Sequence, residues 1–506
     1  MNNKKYYITT PIYYPSANFH IGHCYTTIIA DSIARFKRLQ GYDVFFLTGS
    51  DEHGLKIENK AKEKGVTPKE YVDEIVENAK DLWKSLNISY DKFIRTTDDY
   101  HVATVKKIFT KLYEQGDIYL GEYEGMYCTP CESYWTKSQL VDGKCPDCGR
   151  EVSLVKEQSY FFRLSKYEER IKKLFEEQKD FILPESRKNE MVNNFLNKGL
   201  EDLCVSRTTF SWGIPVDFDP KHVIYVWIDA LTNYITALGY LSDDDSNFKK
   251  YWPADLHLVG KEIVRFHTII WPALLMALDL PLPKGVFGHG WLKINGDKIS
   301  KSLGNYKDPR EYINTYGVDA VRYFALREVP LGSDGNFSEE ALKQRTNTDL
   351  ANTLGNLLNR TISMSEKYFD GIIKNPNKND EPSKQLIDDV NTLKQKVEAN
   401  MEQLDVSNAL DNIFDILRKC NKYIDVEMPW ILAKEEKYEE LETVLYNILE
   451  SIRICSIFLK CFMPETADNI FRQLNTDKTT YDTLYFGCLE NNHKLGQKEI
   501  LFNRID

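Results

Sequence analysis

The stretch TTPIYYPSANFHIGHCYTTIIADSIARF, residues 9–36, decides the fold because it joins a strand to a helix through a short turn. β-Branched and aromatic residues precede the turn, and apolar residues recur at helical spacing after it, at Ile28, Ile29 and Ile33, up to a helix stop at Gly41. The run YDVFFLTGSDEHG, residues 42–54, is a second strand-like segment. A strand, a helix and another strand in so short a span predict a βαβ unit and a parallel sheet.

Two histidines stand at the turn of this unit. His20 and His23 bracket Ile21 and Gly22 where a Gly-rich phosphate loop would be expected. In a parallel sheet, ligands bind beyond the carboxyl ends of the strands and against helix N-termini. Imidazoles there can donate hydrogen bonds to phosphate oxygens, while Gly22 lets the backbone approach closely. From this stretch alone, two surface or capping histidines are an equally good interpretation.

The composition predicts a soluble globular protein with about three domains, since 506 residues are too many for one core. A net charge of -11 argues against unspecific DNA coating, although it allows a local basic groove.

The N-terminus lacks the apolar core of a signal peptide. The most apolar stretch, residues 266–282, is interrupted by Pro272 and Pro281, which predicts a buried helix rather than a membrane span. Four of ten cysteines cluster and six are scattered, which favours a reducing, cytoplasmic compartment.

The character of the sequence changes along the chain. An α/β pattern gives way to a cysteine-bearing, charged insertion and then returns with a second strand-turn-helix joint at Gly260. Helical periodicity dominates from Ser338, a plausible N-cap, onward. We therefore predict a Rossmann-like parallel-sheet domain split by an insertion and followed by an α-helical bundle. The predicted segments are 1–115, 116–215, 216–337 and 338–506.

The stretch CTPCESYWTKSQLVDGKCPDCGR in the insertion predicts a metal-binding knuckle. Cys128 and Cys131 form one CxxC pair, and Cys145 and Cys148 form another after thirteen residues, within which Asp-Gly at 142–143 supplies a hairpin turn. Two such pairs make a tetrahedral four-sulfur site that suits zinc. Because thiolates fill all four positions, the metal should be structural rather than catalytic. The alternative is two free or redox-active pairs.

A basic turn near the end of the α/β region is a third candidate site. In GHGWLKINGDKISKSLGN, residues 288–305, Lys298 and Lys301 flank Ser300, and glycines stand on both sides. Such lysines could close onto a polyphosphate and neutralise charge in a transition state. Taken alone, a solvated basic turn is the more ordinary interpretation.

The two motifs together resemble a known family. HIGH at residues 20–23 and KISKS at residues 298–302 are similar to the signature motifs of class I aminoacyl-tRNA synthetases, with Ile299 in place of the usual Met. Further matches in the same order, over residues 5–506, resemble the methionyl-tRNA synthetases. They are TPIYYPSANFHIGH, LTGSDEHG, the four-cysteine insertion, YVWIDAL, GKEIVRFH and CNKYIDVEMPWILAK.

The resemblance implies ATP-dependent ligation of L-methionine to tRNA(Met) through a methionyl-adenylate, with Mg²⁺ accompanying ATP. No protein nucleophile is needed, because positioning and charge stabilisation suffice for transfer at phosphorus. The implied catalytic residues are His20, His23, Lys298 and Lys301. The implied ATP-binding set adds Gly22 and Ser300 to these four.

The resemblance also implies a methionine site. Asp51 corresponds to the residue that holds the amino group, and Arg207 to a supporting basic residue, unless it is a plain surface arginine. The implied side-chain pocket is apolar and aromatic, which suits a flexible thioether; for its aliphatic members, ordinary core is the alternative. Its residues are Ile12, Tyr14, Trp227, Ala230, Leu231, Tyr234, Ile263, Phe266 and His267.

In the helical segment, Asn356, Arg360 and Trp430 correspond to the residues that bind the anticodon in the family. Single-stranded bases are bound by stacking on aromatic rings and by hydrogen bonds to their edges. For Trp430, a buried core tryptophan is the alternative.

Two other functions remain open at this point: another class I synthetase, and a non-catalytic RNA-binding paralogue of a synthetase. The expected partners are tRNA(Met), ATP and methionine, with neither DNA nor a membrane among them. Many relatives continue beyond ILFNRID into a dimerising domain. We expect a monomer for this chain, and a dimer if such a domain is missing from it.

Overall fold

The computed structural model of the chain describes residues 4–131, 133–135, 139–294, 296–298 and 306–506. Two compact units are present: one comprises the chain up to Phe19, Asp43–Trp83 and Tyr90–Gly290, and the other His20–Tyr42, Lys84–Ser89 and Trp291–Asp506. We call them the first and second units.

The described strands are, in chain order, β1 (Lys5–Tyr13), β2 (Asp43–Ser50), β3 (Lys92–Arg95), β4 (Ile118–Cys128), β5 (Ser133–Trp135), β6 (Ser153–Phe162), β7 (Ile182–Leu183), β8 (Leu203–Cys204), β9 (Ser206–Arg207), β10 (Ile214–Val216), β11 (Asp219–Ile224), β12 (Leu256–Gly260), β13 (Val286–His289), β14 (Leu292–Ile294), β15 (Asp297–Lys298), β16 (Gly335–Phe337), β17 (Ile372–Ile373) and β18 (His493–Lys494).

The described α-helices are α1 (Ile21–Leu39), α2 (Leu55–Lys64), α3 (Pro68–Ser85), α4 (Asp99–Glu114), α5 (Glu168–Glu177), α6 (Glu185–Asn194), α7 (Val226–Thr236), α8 (Ser246–Tyr251), α9 (Trp271–Ala277), α10 (Pro309–Tyr316), α11 (Val318–Arg327), α12 (Glu339–Arg345), α13 (Asn356–Phe369), α14 (Glu381–Glu402), α15 (Val406–Glu427), α16 (Pro429–Lys434), α17 (Tyr438–Phe462) and α18 (Pro464–Leu474). Two π-helical segments, Phe266–Ile270 and Thr346–Gly355, precede α9 and α13.

A parallel sheet in the order β3-β2-β1-β12-β13-β7 forms the centre of the first unit. β2 is buried from Val44 to Ser50, because a parallel sheet is covered on both faces and its strands are continuously apolar. The strand order reverses between β1 and β12, where ligands bind in doubly wound sheets. The predicted parallel-sheet fold is thus confirmed, with β1, α1 and β2 following one another in the chain.

Within the segment 116–215, an antiparallel sheet forms in the order β5-β4-β6-β8. β4 and β6 pair over ten residues each, from Ile118–Phe162 to Tyr127–Ser153. The same segment also supplies β7, which joins the parallel sheet beside β13. Asp142 and Gly143 have φ angles of 50° and 72°, which makes the predicted hairpin turn between Val141 and Lys144.

The second unit is mainly helical, as predicted for the end of the chain. Ser338 caps α12 by accepting a hydrogen bond from the backbone N–H of Ala341. Helix α17 is buried at nearly every position from Leu441 to Phe462, so it occupies the centre of the bundle. Gly41 has a φ of 84° just after α1, where the helix stop was expected.

A fully buried ion pair fastens α1 inside the second unit. Asp31 and Arg322 lie 2.7 Å apart, and Arg322 also donates to the carbonyls of Leu86 and Phe462. Burial alone would raise the pKa of Asp31, but Arg322 outweighs it together with further donors, so that pKa lies below its usual value. α1 is therefore held to α11 and α17 by charge as well as by apolar packing.

In the part of the chain that the structure describes, no helix combines the length and the apolar character needed to cross a membrane.

Candidate functional site

The first group of candidate residues lies at the carboxyl edge of the parallel sheet, in the first unit. Ile12 is near the end of β1, Asp51 directly follows β2, and Ile263 follows β12. Tyr14 is half-buried just beyond β1, with the Lys56 ammonium 5.5 Å from its ring centroid. The residues that the resemblance selected therefore come from strand ends that lie side by side in the sheet.

The loop after β2 is held by its backbone. Asp51 donates its N–H to the carbonyl of Tyr13 over 2.9 Å. Glu52 donates its N–H to the Thr96 hydroxyl over 2.8 Å, and its carbonyl accepts from the Trp212 indole over 2.6 Å. Asp51 is only 8% exposed, so its carboxylate sits in a largely dry environment at a fixed position.

The Glu52 side chain anchors the same loop through charge. Its two oxygens accept from Arg95 over 2.6 and 2.9 Å, a bidentate pair, and they accept further bonds from Ser50 and Thr97. Arg95 also lies 2.5 Å from Asp73. A buried carboxylate with this many donors is fully compensated. Glu52 was not selected from the sequence, and only its acidic character within a strand-end motif could have indicated it.

Helix α7 forms one wall of the candidate pocket. The Trp227 ring stacks on the Phe266 ring with centroids 3.4 Å apart and planes 10° apart. Ala230, Leu231 and Tyr234 are buried further along α7. The Trp227, Phe266 and Tyr234 side chains are thus brought together, whereas Leu231 belongs equally to the continuous core of the unit.

Tyr234 and His267 form a buried polar pair in this apolar wall. The Tyr234 hydroxyl lies 2.7 Å from Nε2 of His267, and Nδ1 of His267 lies 2.9 Å from the carbonyl of Ile263. A carbonyl only accepts, so Nδ1 carries the proton and Nε2 accepts from the tyrosine. Burial lowers the pKa of His267 to about 4, which keeps the ring neutral.

Arg207 is a buried residue, not a surface arginine. It ends β9, and its guanidinium lies 4.4 Å from the Tyr127 ring centroid and 4.3 Å from that of Tyr225. Both rings offer their faces to the cation, which stabilises a buried positive charge.

The four clustered cysteines form a candidate metal centre in the same unit. Their four sulfur atoms lie within 4.8 Å of one another, with Cys128 and Cys148 3.5 Å apart and Cys131 and Cys145 3.9 Å apart. Tetrahedral coordination at a Zn–S distance of about 2.3 Å places sulfurs about 3.8 Å apart, so the donor set fits that geometry. None of these four described cysteines forms a disulfide bond.

Arg265 connects the candidate metal centre to the candidate pocket through cation–π contacts. Trp135 is buried beside Cys128 and Cys145. The Arg265 guanidinium lies 5.2 Å from the Trp135 ring centroid and 4.6 Å from that of Phe266. The segment that carries Phe266 and His267 therefore packs against the knuckle.

His20 and His23 lie at the start of α1, in the second unit. Nδ1 of His20 accepts from the N–H of Gly22 over 3.1 Å, and Nδ1 of His23 accepts from the N–H of His20 over 3.0 Å. Burial lowers the pKa of both, to about 4 for His20, so each neutral ring carries its proton on Nε2. Capping and donation are therefore compatible: Nδ1 caps the helix, and Nε2–H can donate to a ligand.

The basic-turn prediction falls largely outside the described residues. The backbone of Lys298 ends β15, paired with Lys293, but its side chain lies outside them. Ser300 and Lys301 lie outside them entirely.

The candidate anticodon residues lie in the helical part of the second unit. Asn356 and Arg360 are four residues apart on α13, on one face. Arg360 donates to the side-chain oxygen of Asn421 on α15 over 2.8 Å. Trp430, in α16 just beyond α15, is 49% exposed, so the interpretation as a core tryptophan is wrong.

The comparisons with known proteins agree along the whole chain. Residues 6–154 and 149–362 match the family model described as tRNA synthetases class I (M), and residues 374–506 match the anticodon binding domain of methionyl tRNA ligase. Methionine–tRNA ligase of Caldanaerobacter subterraneus subsp. tengcongensis is 64% identical over 99% of this chain and 79% of its own length. That of Clostridium perfringens is 60% identical over 100% and 79%.

Solved structures are similar over the same length. The structure of Mycobacterium tuberculosis methionyl-tRNA synthetase in complex with methionyl-adenylate has a TM-score of 0.95 and 42% identity, covering 99% of this chain and 100% of that one. The free form of the same protein has a TM-score of 0.88 and 39% identity, covering 100% and 99%.

The neutral state of His267 predicts a pH dependence of stability. The unfolded chain binds a proton at this residue near pH 6.5, but the folded chain only near pH 4, so its contribution is complete above pH 6.5 and is lost as pH falls toward 4. We expect the difference in unfolding free energy between wild type and His267→Gln to shrink by roughly 3 kcal/mol over this window. Urea titrations at several pH values measure it; a constant difference would contradict the assignment.

Proposed function

The chain belongs to the methionine–tRNA ligase family, and we propose a role for each candidate residue in the two-step ligation of L-methionine to tRNA. In the first step, the methionine carboxylate attacks the α-phosphorus of ATP, giving methionyl-adenylate and pyrophosphate. In the second step, the 2′-hydroxyl of the terminal adenosine takes the methionyl group and AMP leaves. Neither step needs a protein nucleophile, so the residues bind, orient and stabilise charge.

The observation that carries the assignment of methionine is the Tyr234–His267 pair within an aromatic wall. A thioether is unbranched, polarizable and a weak acceptor, and it packs well on aromatic rings such as Trp227 and Phe266. The neutral His267 ring places no charge beside it. We assign the side-chain pocket to Ile12, Tyr14, Trp227, Ala230, Leu231, Tyr234, Ile263, Phe266 and His267.

Asp51 is assigned to the methionine ammonium group. Asp51 is buried, and the neighbouring Glu52 is held through its N–H, its carbonyl and its carboxylate. This supports the role, because a carboxylate on a fixed loop binds a cation without reorganising. Arg207 is assigned a supporting role. Its burial between two tyrosine rings supports a fixed positive charge in the same unit.

ATP is assigned to His20, Gly22 and His23 together with Lys298, Ser300 and Lys301. The Nε2–H groups of two neutral imidazoles at a helix N-terminus support donation to phosphate oxygens. The assignment of the lysines and Ser300 rests on the KISKS motif of the sequence. Mg²⁺ is proposed to accompany ATP and to offset phosphate charge.

The anticodon is assigned to Asn356, Arg360 and Trp430. The exposure of Trp430 supports stacking on a base, and the shared face of Asn356 and Arg360 supports edge recognition of bases. The metal at the four cysteines is proposed to be zinc with a structural role, supported by the four-thiolate donor set. The described cysteines form no disulfide bond, and this and a role in translation favour the cytoplasm.

The function is tested by pyrophosphate exchange with each of the twenty amino acids. Methionine should drive exchange, because an unbranched, polarizable thioether suits the aromatic wall and its neutral Tyr234–His267 pair. Rapid exchange with isoleucine or cysteine instead would indicate another class I synthetase. No exchange with any amino acid, in a chain that still binds tRNA, would indicate a non-catalytic paralogue.

Trp430→Ala should weaken tRNA charging far more than methionine–ATP exchange. Loss of one base stack costs roughly 1–3 kcal/mol, which corresponds to about 5- to 150-fold in kcat/KM for tRNA. Exchange should stay within about twofold, since it needs no tRNA. Tyr485→Ala, at a 58% exposed aromatic residue of the same unit, is the matched control. Equal losses in charging and exchange would make Trp430 structural.

The purified chain should contain about one zinc ion per molecule by elemental analysis. Cys145→Ser should remove most of it and lower the melting temperature, because the buried knuckle loses the ion that holds its four sulfurs together. Cys488→Ser, at a half-buried cysteine outside the cluster, should keep the metal. Full zinc content in Cys145→Ser would refute the four-cysteine ligand set.

A further inference from the structure

A buried chain of histidine and aspartate lies next to the proposed methionine site. Asp229 on α7 is fully buried, and one of its oxygens lies 2.7 Å from Nδ1 of His53. Its other oxygen lies 2.8 Å from Nε2 of His101 on α4, whose Nδ1 lies 2.7 Å from the Thr236 hydroxyl. All four side chains belong to the first unit.

The direction of the two bonds to Asp229 follows from chemistry. A carboxylate only accepts, so Nδ1–H of His53 and Nε2–H of His101 both donate to it. Burial alone would raise the pKa of Asp229, but His53 and His101 outweigh it and lower the pKa. The carboxylate is thus held as an anion between two donors in a dry interior, where each bond is strong and an unpaired charge is costly.

The sequence positions of these residues connect the network to the site. His53 stands two residues after Asp51, and the intervening Glu52 is anchored by Arg95. Asp229 stands two residues after Trp227 and five residues before Tyr234 on α7. The single carboxylate therefore links the loop of the ammonium ligand to the helix of the side-chain wall.

We propose that Asp229 is a positioning residue for methionine recognition: through His53 it fixes the loop that carries Asp51, and it fixes that loop relative to α7. The inference rests on the proposed function, because it assigns the network to the methionine site. It predicts that the charge of Asp229 governs methionine binding while ATP binding is unaffected. His101 completes the network by satisfying the second oxygen of Asp229 and tying α4 to it.

The test is steady-state pyrophosphate exchange on Asp229→Asn, with methionine and ATP varied separately. Asparagine keeps the shape but removes the charge and one acceptor, so its single amide oxygen can serve only one of the two histidines and the loop loses its charge-assisted anchor. KM for methionine should rise about tenfold or more, whereas kcat and KM for ATP stay within about twofold. A structural role alone would lower stability and the active fraction without this split.

Two further variants separate the hydrogen bond from packing. His101→Gln keeps an N–H donor, whereas His101→Leu leaves an oxygen of Asp229 without one; the leucine variant should raise KM for methionine several times more. Asp117→Asn is the matched control, because Asp117 is a buried carboxylate of the same unit that accepts from Lys166 and Tyr167. It should destabilise the chain yet leave KM for methionine within about twofold.

The outcomes distinguish this inference from the function on which it rests. If the wild type shows methionine-dependent exchange and Asp229→Asn has an unchanged KM for methionine, the inference is overturned while the proposed function stands. Equal rises in the KM values for methionine and ATP, or equal effects in Asp117→Asn, also overturn it. If wild type shows no methionine-dependent exchange, the proposed function fails and the inference falls with it.

Discussion

The candidate site in the first unit depends on the loop after β2, in which three consecutive residues each form a hydrogen bond or ion pair with a different partner. Glu52 forms a bidentate pair with Arg95, His53 donates to Asp229, and the N–H of Asp51 donates to β1. Glu52 and Asp229 are fully buried and Arg95 is partly buried, so breaking either contact would take a donor away from a buried carboxylate. The loop is consequently rigid without being apolar, and the carboxylate of Asp51 is presented at a fixed point.

Such a loop suits an enzyme that must recognise an amino acid by its ammonium group and a weakly polar side chain. A thioether offers little to a hydrogen-bonding site, so under the proposed assignment discrimination rests on the shape and polarity of the wall formed by Trp227, Tyr234 and His267. In the same proposal, Asp51 holds the ammonium group and so sets the depth to which the side chain enters that wall. Preorganised groups bind without an entropic cost of ordering, which favours specificity over adaptability.

The sequence predicted the features that depend on local pattern or spacing. Apolar runs ending in turns indicated the parallel sheet, and the CxxC spacing indicated the four-sulfur cluster. The sequence could not predict β7, because a strand of two residues has no periodicity. Nor could it predict the pairing of His53 with Asp229, because these residues are 176 positions apart in the chain. At His20 and His23 it left capping and ligand binding as alternatives, and the ring nitrogens in the structure allow both at once.

We expect the Asp51 loop to be formed already before methionine binds. Crystal structures of the chain without and with methionine test it most directly. We expect the α-amino nitrogen about 2.7–3.2 Å from an Asp51 carboxylate oxygen, with the Glu52–Arg95 and His53–Asp229 distances unchanged within about 0.3 Å. A loop that rearranges and breaks either pair on binding, or an ammonium group held by a different residue, would contradict a preformed Asp51 site.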